Sequence, residues 1–253
     1  TITECKICQS NQLITIKNYH ASRQLNVTWK KVFQDLFPTE KMISIRLCIC
    51  RRCGFLFYRD VFDEIEIKKL YATEGRYETA GERNLKSGRK RELGRLFSYI
   101  EHHIPFESIN SVIDVGAGDF EVLNRLMLKY PKKEFTAIDP SFNGNQYKKA
   151  KVLHDMVEDS IFTEPYDVVM ITHVLEHVVD LGLFMEHALP LVRKYVYVEV
   201  PFQVGPALFL TRSVNSQHIN YFTPETLRLL LEKSGLKVET MRFENEWYKY
   251  NGM

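Results

Sequence analysis

The sequence predicts an α/β chain: a doubly wound, mainly parallel seven-stranded sheet preceded by a small N-terminal domain. Two observations carry this expectation. From Ser111 onward, short β-branched runs alternate with helical segments, as βαβ crossovers require, and ahead of them four of the five cysteines form two CxxC pairs. The 253 residues are 45% hydrophobic and 26% charged, which excludes a disordered or collagen-like chain.

The first element is set by the cysteines. A CxxC knuckle turns two thiolates toward one point, and two knuckles complete the tetrahedron that a structural Zn²⁺ prefers. Cys5-Lys6-Ile7-Cys8 and Cys50-Arg51-Arg52-Cys53 have that form, and Gly54 permits the tight turn under the second. This predicts a zinc-binding ribbon over residues 1–70 with Cys5, Cys8, Cys50 and Cys53 as ligands. A redox CxxC or disulfides are the competing uses, disfavoured in a reducing compartment, and four thiolates leave no open position for a catalytic water. Alternating Ile43, Ile45, Leu47 and Ile49 predict a strand entering the second knuckle, with Cys48 as a buried free thiol. Residues 1–60 carry a net charge of +6 against −4 for the remainder, a basic end that suits phosphates or simply forms a solvated surface.

Polar, glycine-dotted residues 71–82 read as a linker or lid, and residues 83–253 as the α/β domain. An amphipathic helix is expected over Arg83–His103, with Leu85, Leu93, Leu96, Phe97 and Ile100 on one face. Strands are expected at Ser111–Val115, Glu134–Ile138, Lys151–His154, Tyr166–Ile171, Tyr195–Val200 and Lys237–Phe243, with Glu246–Tyr250 as a seventh, antiparallel strand. Helices are expected at Phe120–Tyr130, Leu181–Val192 and Pro224–Ser234, the last with Thr223 as N-cap and Gly235 at C′. No apolar stretch reaches the ~18 residues of a membrane span, and the polar start is no signal peptide, so a soluble cytoplasmic protein without a membrane partner is expected.

A doubly wound sheet binds ligands beyond the carboxyl ends of its strands. The loop after the first strand reads Val112-Ile-Asp-Val-Gly-Ala-Gly-Asp-Phe120, in which Gly116 and Gly118 expose backbone N–H groups ahead of a helix. A dinucleotide fingerprint would place a third glycine where Glu121 stands, and an acidic side chain there suits a pyrophosphate poorly. A cofactor with a ribose and an amino-acid end fits better, because Asp139 closes the second strand where a carboxylate can take both ribose hydroxyls.

With the acidic end of Phe135-Thr-Ala-Ile-Asp139 and the run Tyr166-Asp-Val-Val-Met-Ile-Thr-His-Val-Leu-Glu-His177, this loop resembles the class I S-adenosylmethionine-dependent methyltransferases over about Ser111 to Phe243. The resemblance implies Asp114, Gly116 and Gly118 at the methionine part of S-adenosyl-L-methionine, Asp139 at the ribose, and Thr172 and His173 near the methyl group. Asp155, past the third strand, reads as a partner of the adenine amino group or as a solvated loop carboxylate.

The paired knuckles ahead of this domain are similar to those of the zinc-bearing sugar methyltransferases, which include deoxysugar C-methyltransferases. Ser216-Gln-His-Ile-Asn-Tyr-Phe222, followed by Thr223-Pro-Glu-Thr-Leu227, resembles their segment after strand five. Where that family has Tyr-His-Glu-His this chain has Asn215-Ser-Gln-His218. Carbon methylation beside a ketone wants a carboxylate or phenolate base and enolate stabilisation, whereas an alcohol needs only one base. His218 reads as that base or as a loop anchor, and His177 with Glu176 as scaffold or as a second base. Tyr77 matches a tyrosine that the relatives place over the active site, and Pro201-Phe202-Gln203 is expected to shape the acceptor pocket.

The function these readings imply is methylation of a small molecule, foremost O-methylation of a sugar, a nucleotide-linked sugar or another surface-glycan or secondary-metabolite precursor. The alternatives are C-methylation of a keto-deoxysugar, RNA methylation, and a non-catalytic cofactor-binding regulatory module. Against RNA, the first 60 residues lack interleaved basic and aromatic residues. Against the inert module stands the intact set Asp114, Gly116, Gly118 and Asp139.

Overall fold

The computed structural model describes residues 1–20, 44–60, 87–118, 121–140, 150–202, 204 and 218–243. The chain divides into two compact units, each assembled from separate stretches of sequence: Thr1–Asp63, Leu175–Met185 and Val200–Met253 in one, Glu64–Val174 and Glu186–Glu199 in the other.

The second unit holds a parallel sheet. Its strands are β4 (Ser111–Val115), β5 (Glu134–Ile138), β6 (Lys151–Leu153), β7 (Tyr166–Thr172) and β8 (Val192–Glu199), in the order β6-β5-β4-β7-β8. β4 and β7 are buried along nearly their whole length because parallel strands are covered on both faces, which is why they read as unbroken β-branched runs. Helix α1 (Ser87–His103) contributes Ile100 to the core, and α2 (Glu121–Lys129) contributes Val122, Leu123, Leu126 and Met127, spaced to line one helical face. Phe106 stacks on Tyr130 at 4.8 Å between centroids, closing this layer. Chain order reverses between β4 and β7, and such a switch point opens a crevice at the strand ends.

The first unit holds an antiparallel sheet, β1 (Leu13–His20), β2 (Ser44–Cys50), β3 (Leu56–Tyr58) and β9 (Asn220–Tyr221), in that order. Its last strand comes from the far end of the chain: Leu56 pairs with Tyr221 and Phe57 with Asn220. Ile45, Leu47, Leu56, Tyr58, Ile219 and Tyr221 form a buried cluster on this sheet. Arg46 clamps Asp60 through Nε (2.7 Å) and Nη2 (2.6 Å), tying the start of β2 to the residues after β3. Helix α4 (Pro224–Lys233) begins with a capping box between Thr223 and Thr226 and ends before Gly235 at φ +88°.

Three expectations meet the structure differently. The parallel sheet has five strands among the described residues, and the other two of the expected seven are not seen there. Among the described residues Lys237–Phe243 pairs with no strand and none of its side chains is buried; Glu246–Tyr250, the antiparallel partner expected beside it, lies outside them. The helix expected to Val192 is α3 (Leu181–Ala188), followed by a 3-10 turn at Leu189–Leu191, where Pro190 removes the next helical N–H. Glu246–Tyr250 and the linker at 71–82 lie outside the described residues.

Candidate functional site

The crevice at the end of β4 is built from backbone. Gly116 (φ +71°) and Gly118 (φ +50°) both take left-handed conformations, and the amides of Gly116 and Ala117 donate to the Ile138 carbonyl at 2.8 and 3.3 Å. A Cβ on Gly116 would lie 2.4 Å from Cγ2 of Val174, so this position excludes any side chain. Asp139, buried at the end of β5, accepts the Gly118 N–H through Oδ2 at 2.8 Å, which fixes the far side of the turn. Asp114, 2% exposed, accepts from the Thr172 hydroxyl at 3.4 Å and so joins the ends of β4 and β7. A turn stripped of side chains, a carboxylate on the adjacent strand end and an acid–hydroxyl pair are the donors and acceptors that a ribose and an amino-acid moiety require.

His173 follows Thr172 in a left-handed conformation (φ 55°), uncommon for a residue with a Cβ. Its N–H donates to the Glu199 carbonyl at 3.0 Å, and its Nε2 lies 3.3 Å from Glu199 Oε1. Tyr197 donates its hydroxyl to Glu199 Oε2 at 2.8 Å. Burial would raise the Glu199 carboxyl, but the hydrogen bond and charge of His173, with Tyr197, hold it below the usual range. Asp155 is exposed and its Oδ1 accepts the Met156 N–H, a local turn contact.

The other unit brings the four cysteines together. Cys5 Sγ lies 3.5 Å from Cys53 and Cys8 Sγ 3.5 Å from Cys50, and all four sulfurs fall within 4.8 Å of one another. A tetrahedron of Zn–S bonds of ~2.3 Å has edges of about 3.8 Å, so the donor set fits zinc. The two knuckles are built alike. Gln9 donates to the Cys5 carbonyl and Gly54 to the Cys50 carbonyl, each at 2.9 Å and each with positive φ (58° and 77°). The glycine announced one of these turns; Gln9 hid the other. Cys48 is fully buried and sits 3.4 Å from the Thr15 hydroxyl.

In the same unit, Glu176, His177 and His218 each offer one ligand-type atom, all within 4.8 Å of one another. The two imidazoles meet edge to face at 4.8 Å between centroids. His177 Nε2 is 3.8 Å from the Glu176 carboxylate, which is 1% exposed, while His177 itself remains partly exposed. Two abutting imidazoles beside a buried carboxylate can accept and hold a proton. Loop residues 175–178 and the segment at 218–220 are joined by hydrogen bonds from the amides of Ile219 (2.8 Å) and Asn220 (3.0 Å) to the Glu176 carbonyl.

Of the residues singled out from sequence, Asp114, Gly116, Gly118, Asp139 and Thr172 gather in one unit, and His177 and His218 in the other; Tyr77 and Gln203 lie outside the described residues. Phe202 packs on Phe243 at 4.4 Å between centroids. Sequence reasoning missed Glu199, Tyr197, Lys6 and Asn220. The acidic end of the fifth strand was a usable signal for Glu199, whereas Lys6 and Asn220 are 214 residues apart and no local pattern links them.

A family profile described as a methyltransferase domain matches residues 78–241. No curated protein sequence matches the chain. Among solved structures, the chain is similar to Burkholderia thailandensis 1,6-didemethyltoxoflavin-N1-methyltransferase with bound 1,6-didemethyltoxoflavin and S-adenosylhomocysteine, at 14% identity and TM-score 0.55, covering 73% of this chain and 85% of that one. It is also similar to the plantazolicin methyltransferase BpumL in complex with a pentazolic desmethylPZN analog and S-adenosylhomocysteine, at 19% identity and TM-score 0.47, covering 68% and 76%.

Proposed function

The chain belongs to the methyltransferase-domain family, as an S-adenosylmethionine-dependent methyltransferase, and from that premise we propose that it methylates a hydroxyl of a small-molecule acceptor. The acceptor class we propose is a sugar, a nucleotide-linked sugar or another surface-glycan or secondary-metabolite precursor. The sugar rests on the resemblance of the paired knuckles and of Ser216–Leu227 to the zinc-bearing sugar methyltransferases, an argument by analogy. The hydroxyl rests on the observation that carries the reading, the Glu176–His177–His218 cluster, which supplies the one proton acceptor that an alcohol needs.

S-adenosyl-L-methionine, when bound, supplies an electrophilic methyl group on a sulfonium. In this reading Gly116 and Gly118 let the backbone approach its methionine part, with Asp114 and Thr172 bonded to each other behind them. Asp139 receives the ribose hydroxyls while it holds the Gly118 amide, and His173, fixed by Glu199, lines the methyl end. Asp155 is the weakest member of the set, since its carboxylate is already engaged in its own turn. His218 takes the acceptor's proton, and His177, steadied by Glu176, shares it. Structural Zn²⁺ on Cys5, Cys8, Cys50 and Cys53 contributes folding free energy and no chemistry.

Calorimetry with S-adenosylmethionine and with NAD, followed by transfer of a ¹³C-methyl label to a panel of sugar nucleotides, tests this reading. The expected outcome is binding of the first ligand only and label on oxygen, which resonates far from a methyl on carbon. Label on carbon would move the assignment to C-methylation of a keto sugar, and label in RNA would overturn the acceptor class.

A further inference from the structure

We infer that the first metal knuckle sets the positions of His177 and His218, with Lys6 and Asn220 as the positioning residues; the inference rests on the reading of these histidines as the proton-accepting pair. Lys6 lies between two metal-site cysteines, and its ammonium leaves the knuckle to donate to Asn220 Oδ1 at 2.8 Å and to the Val178 carbonyl at 3.5 Å. The ring of Phe57 lies 5.8 Å beneath it. Asn220 is 2% exposed, so each of its polar atoms must find a partner inside the protein. Its Nδ2 donates to the carbonyls of Leu175 (2.8 Å) and Val178 (2.7 Å), and its backbone N–H to that of Glu176 (3.0 Å). These bonds fix the amide's orientation, because the carbonyls of Leu175 and Val178 can only accept, which turns Nδ2 toward them and Oδ1 toward Lys6.

One buried side chain therefore staples together the two chain segments that carry the histidines. His177 lies between the carbonyls of Leu175 and Val178, and His218 lies two residues before Asn220. The Asn220 carbonyl oxygen is aimed at the knuckle, and Lys6 answers it. Strand pairing reinforces the staple, since Asn220 also pairs with Phe57 and the Tyr58 amide donates to the Ile219 carbonyl at 2.8 Å. A fully satisfied buried network of this kind specifies a single geometry, and removing one donor leaves a buried acceptor that the loop must move to satisfy. Because the backbone on both sides of Lys6 is held by Cys5 and Cys8, the reach of its ammonium depends on the knuckle keeping its shape.

The test uses the full chain. Lys6→Met keeps the length of the side chain and removes its donor. The expected result is one zinc per chain, S-adenosylmethionine affinity within twofold of wild type, displaced imidazole Cε1–H resonances for His177 and His218, and kcat lowered by about 10–100-fold. Lys6→Arg, which keeps a donor, should recover most of that loss. Stripping zinc from wild type with a chelator should displace the same two resonances. Unmoved resonances, or a kcat within twofold of wild type, overturn the inference, as does loss of zinc from Lys6→Met, which would make Lys6 a support of the metal site alone. Should Lys6→Met not fold, Lys6→Gln, which shortens the reach of the side chain, is read in the same way, unmoved resonances again overturning the coupling. The two readings separate cleanly: His218→Ala at wild-type turnover removes the catalytic reading whatever the resonances do, and unmoved resonances with an impaired His218→Ala remove only the coupling.

Discussion

The cofactor unit and the ribbon unit solve the problem of placing functional groups in opposite ways. In the cofactor unit a parallel sheet is covered on both faces, and Asp114, Gly116, Asp139 and Thr172 are presented at the ends of strands whose positions the apolar core already determines. In the ribbon unit the buried side chains come from distant parts of the chain: Ile45, Leu47, Leu56 and Tyr58 from β2 and β3 meet Ile219 and Tyr221, the last of these in β9. Chain segments so far apart in sequence need further ties, and in the reading proposed above zinc ligation and a buried polar network supply them. On the inference drawn above, the histidines owe their places to interactions that can be removed one at a time, whereas the glycine loop sits at the ends of strands held by an extended apolar core.

The largest expected effect breaks that comparison at its root. Structural zinc in small domains carries about 10–16 kcal/mol of apparent binding free energy, so chelation or Cys53→Ser should abolish hydrogen-exchange protection across β1, β2 and β3 while β4, β5 and β7 keep theirs. Metal analysis should find one zinc per chain in wild type and none in Cys53→Ser. A second equivalent would place metal on Glu176, His177 and His218 and overturn their proton-handling role.

Next in size is His218→Ala, expected to lower turnover about 10²–10⁴-fold with little change in cofactor affinity. Only the neutral imidazole accepts a proton, so wild-type turnover should fall on acidification. Single-turnover rates within a few-fold of wild type would shift the role to His177, to Tyr77 or to positioning alone.

Within the cofactor unit, Asp139→Ala should weaken S-adenosylmethionine binding at least tenfold. It removes the anchor of the Gly118 amide and two expected ribose contacts, each charge-assisted bond being worth roughly 1.5–3 kcal/mol. Calorimetry returning wild-type affinity would remove the ribose assignment, and with it the claim that this unit's strand ends define the site.

The same division explains what could be read in advance. β4 and β5 fall on the expected residues because a buried parallel strand has a local signature, and Gly116 because a left-handed turn under Val174 tolerates no other residue. The CxxC spacing is likewise local. β9 is two residues long and carries no periodicity; its existence depends on β3, more than 160 residues earlier. Lys6 reads as a solvated lysine in a knuckle until Asn220 is brought to it.

The smallest effect compares one carboxylate from each unit. Asp60 is held below the usual range chiefly by its hydrogen bonds from Arg46, against the opposing effect of burial. Asp167 lies lower than usual despite strong burial, through the Asn110 amide and Lys194. A depressed carboxyl contributes stability that is fully present above its unfolded value of ~3.9 and is lost as pH falls through the folded value. Asp167 is 1% exposed, so Asp167→Asn should lower the urea midpoint of the cofactor unit clearly at pH 7 and at any salt concentration. Arg46 is more than a third exposed, and solvent screening cuts the value of its pair, so Asp60→Asn should cost the ribbon about 1 kcal/mol or less at pH 7. That cost should shrink in high salt and vanish on acidification. A salt-independent loss at Asp60 equal to that at Asp167 would mean that the Arg46 clamp is as much a buried structural element as the charges of the sheet.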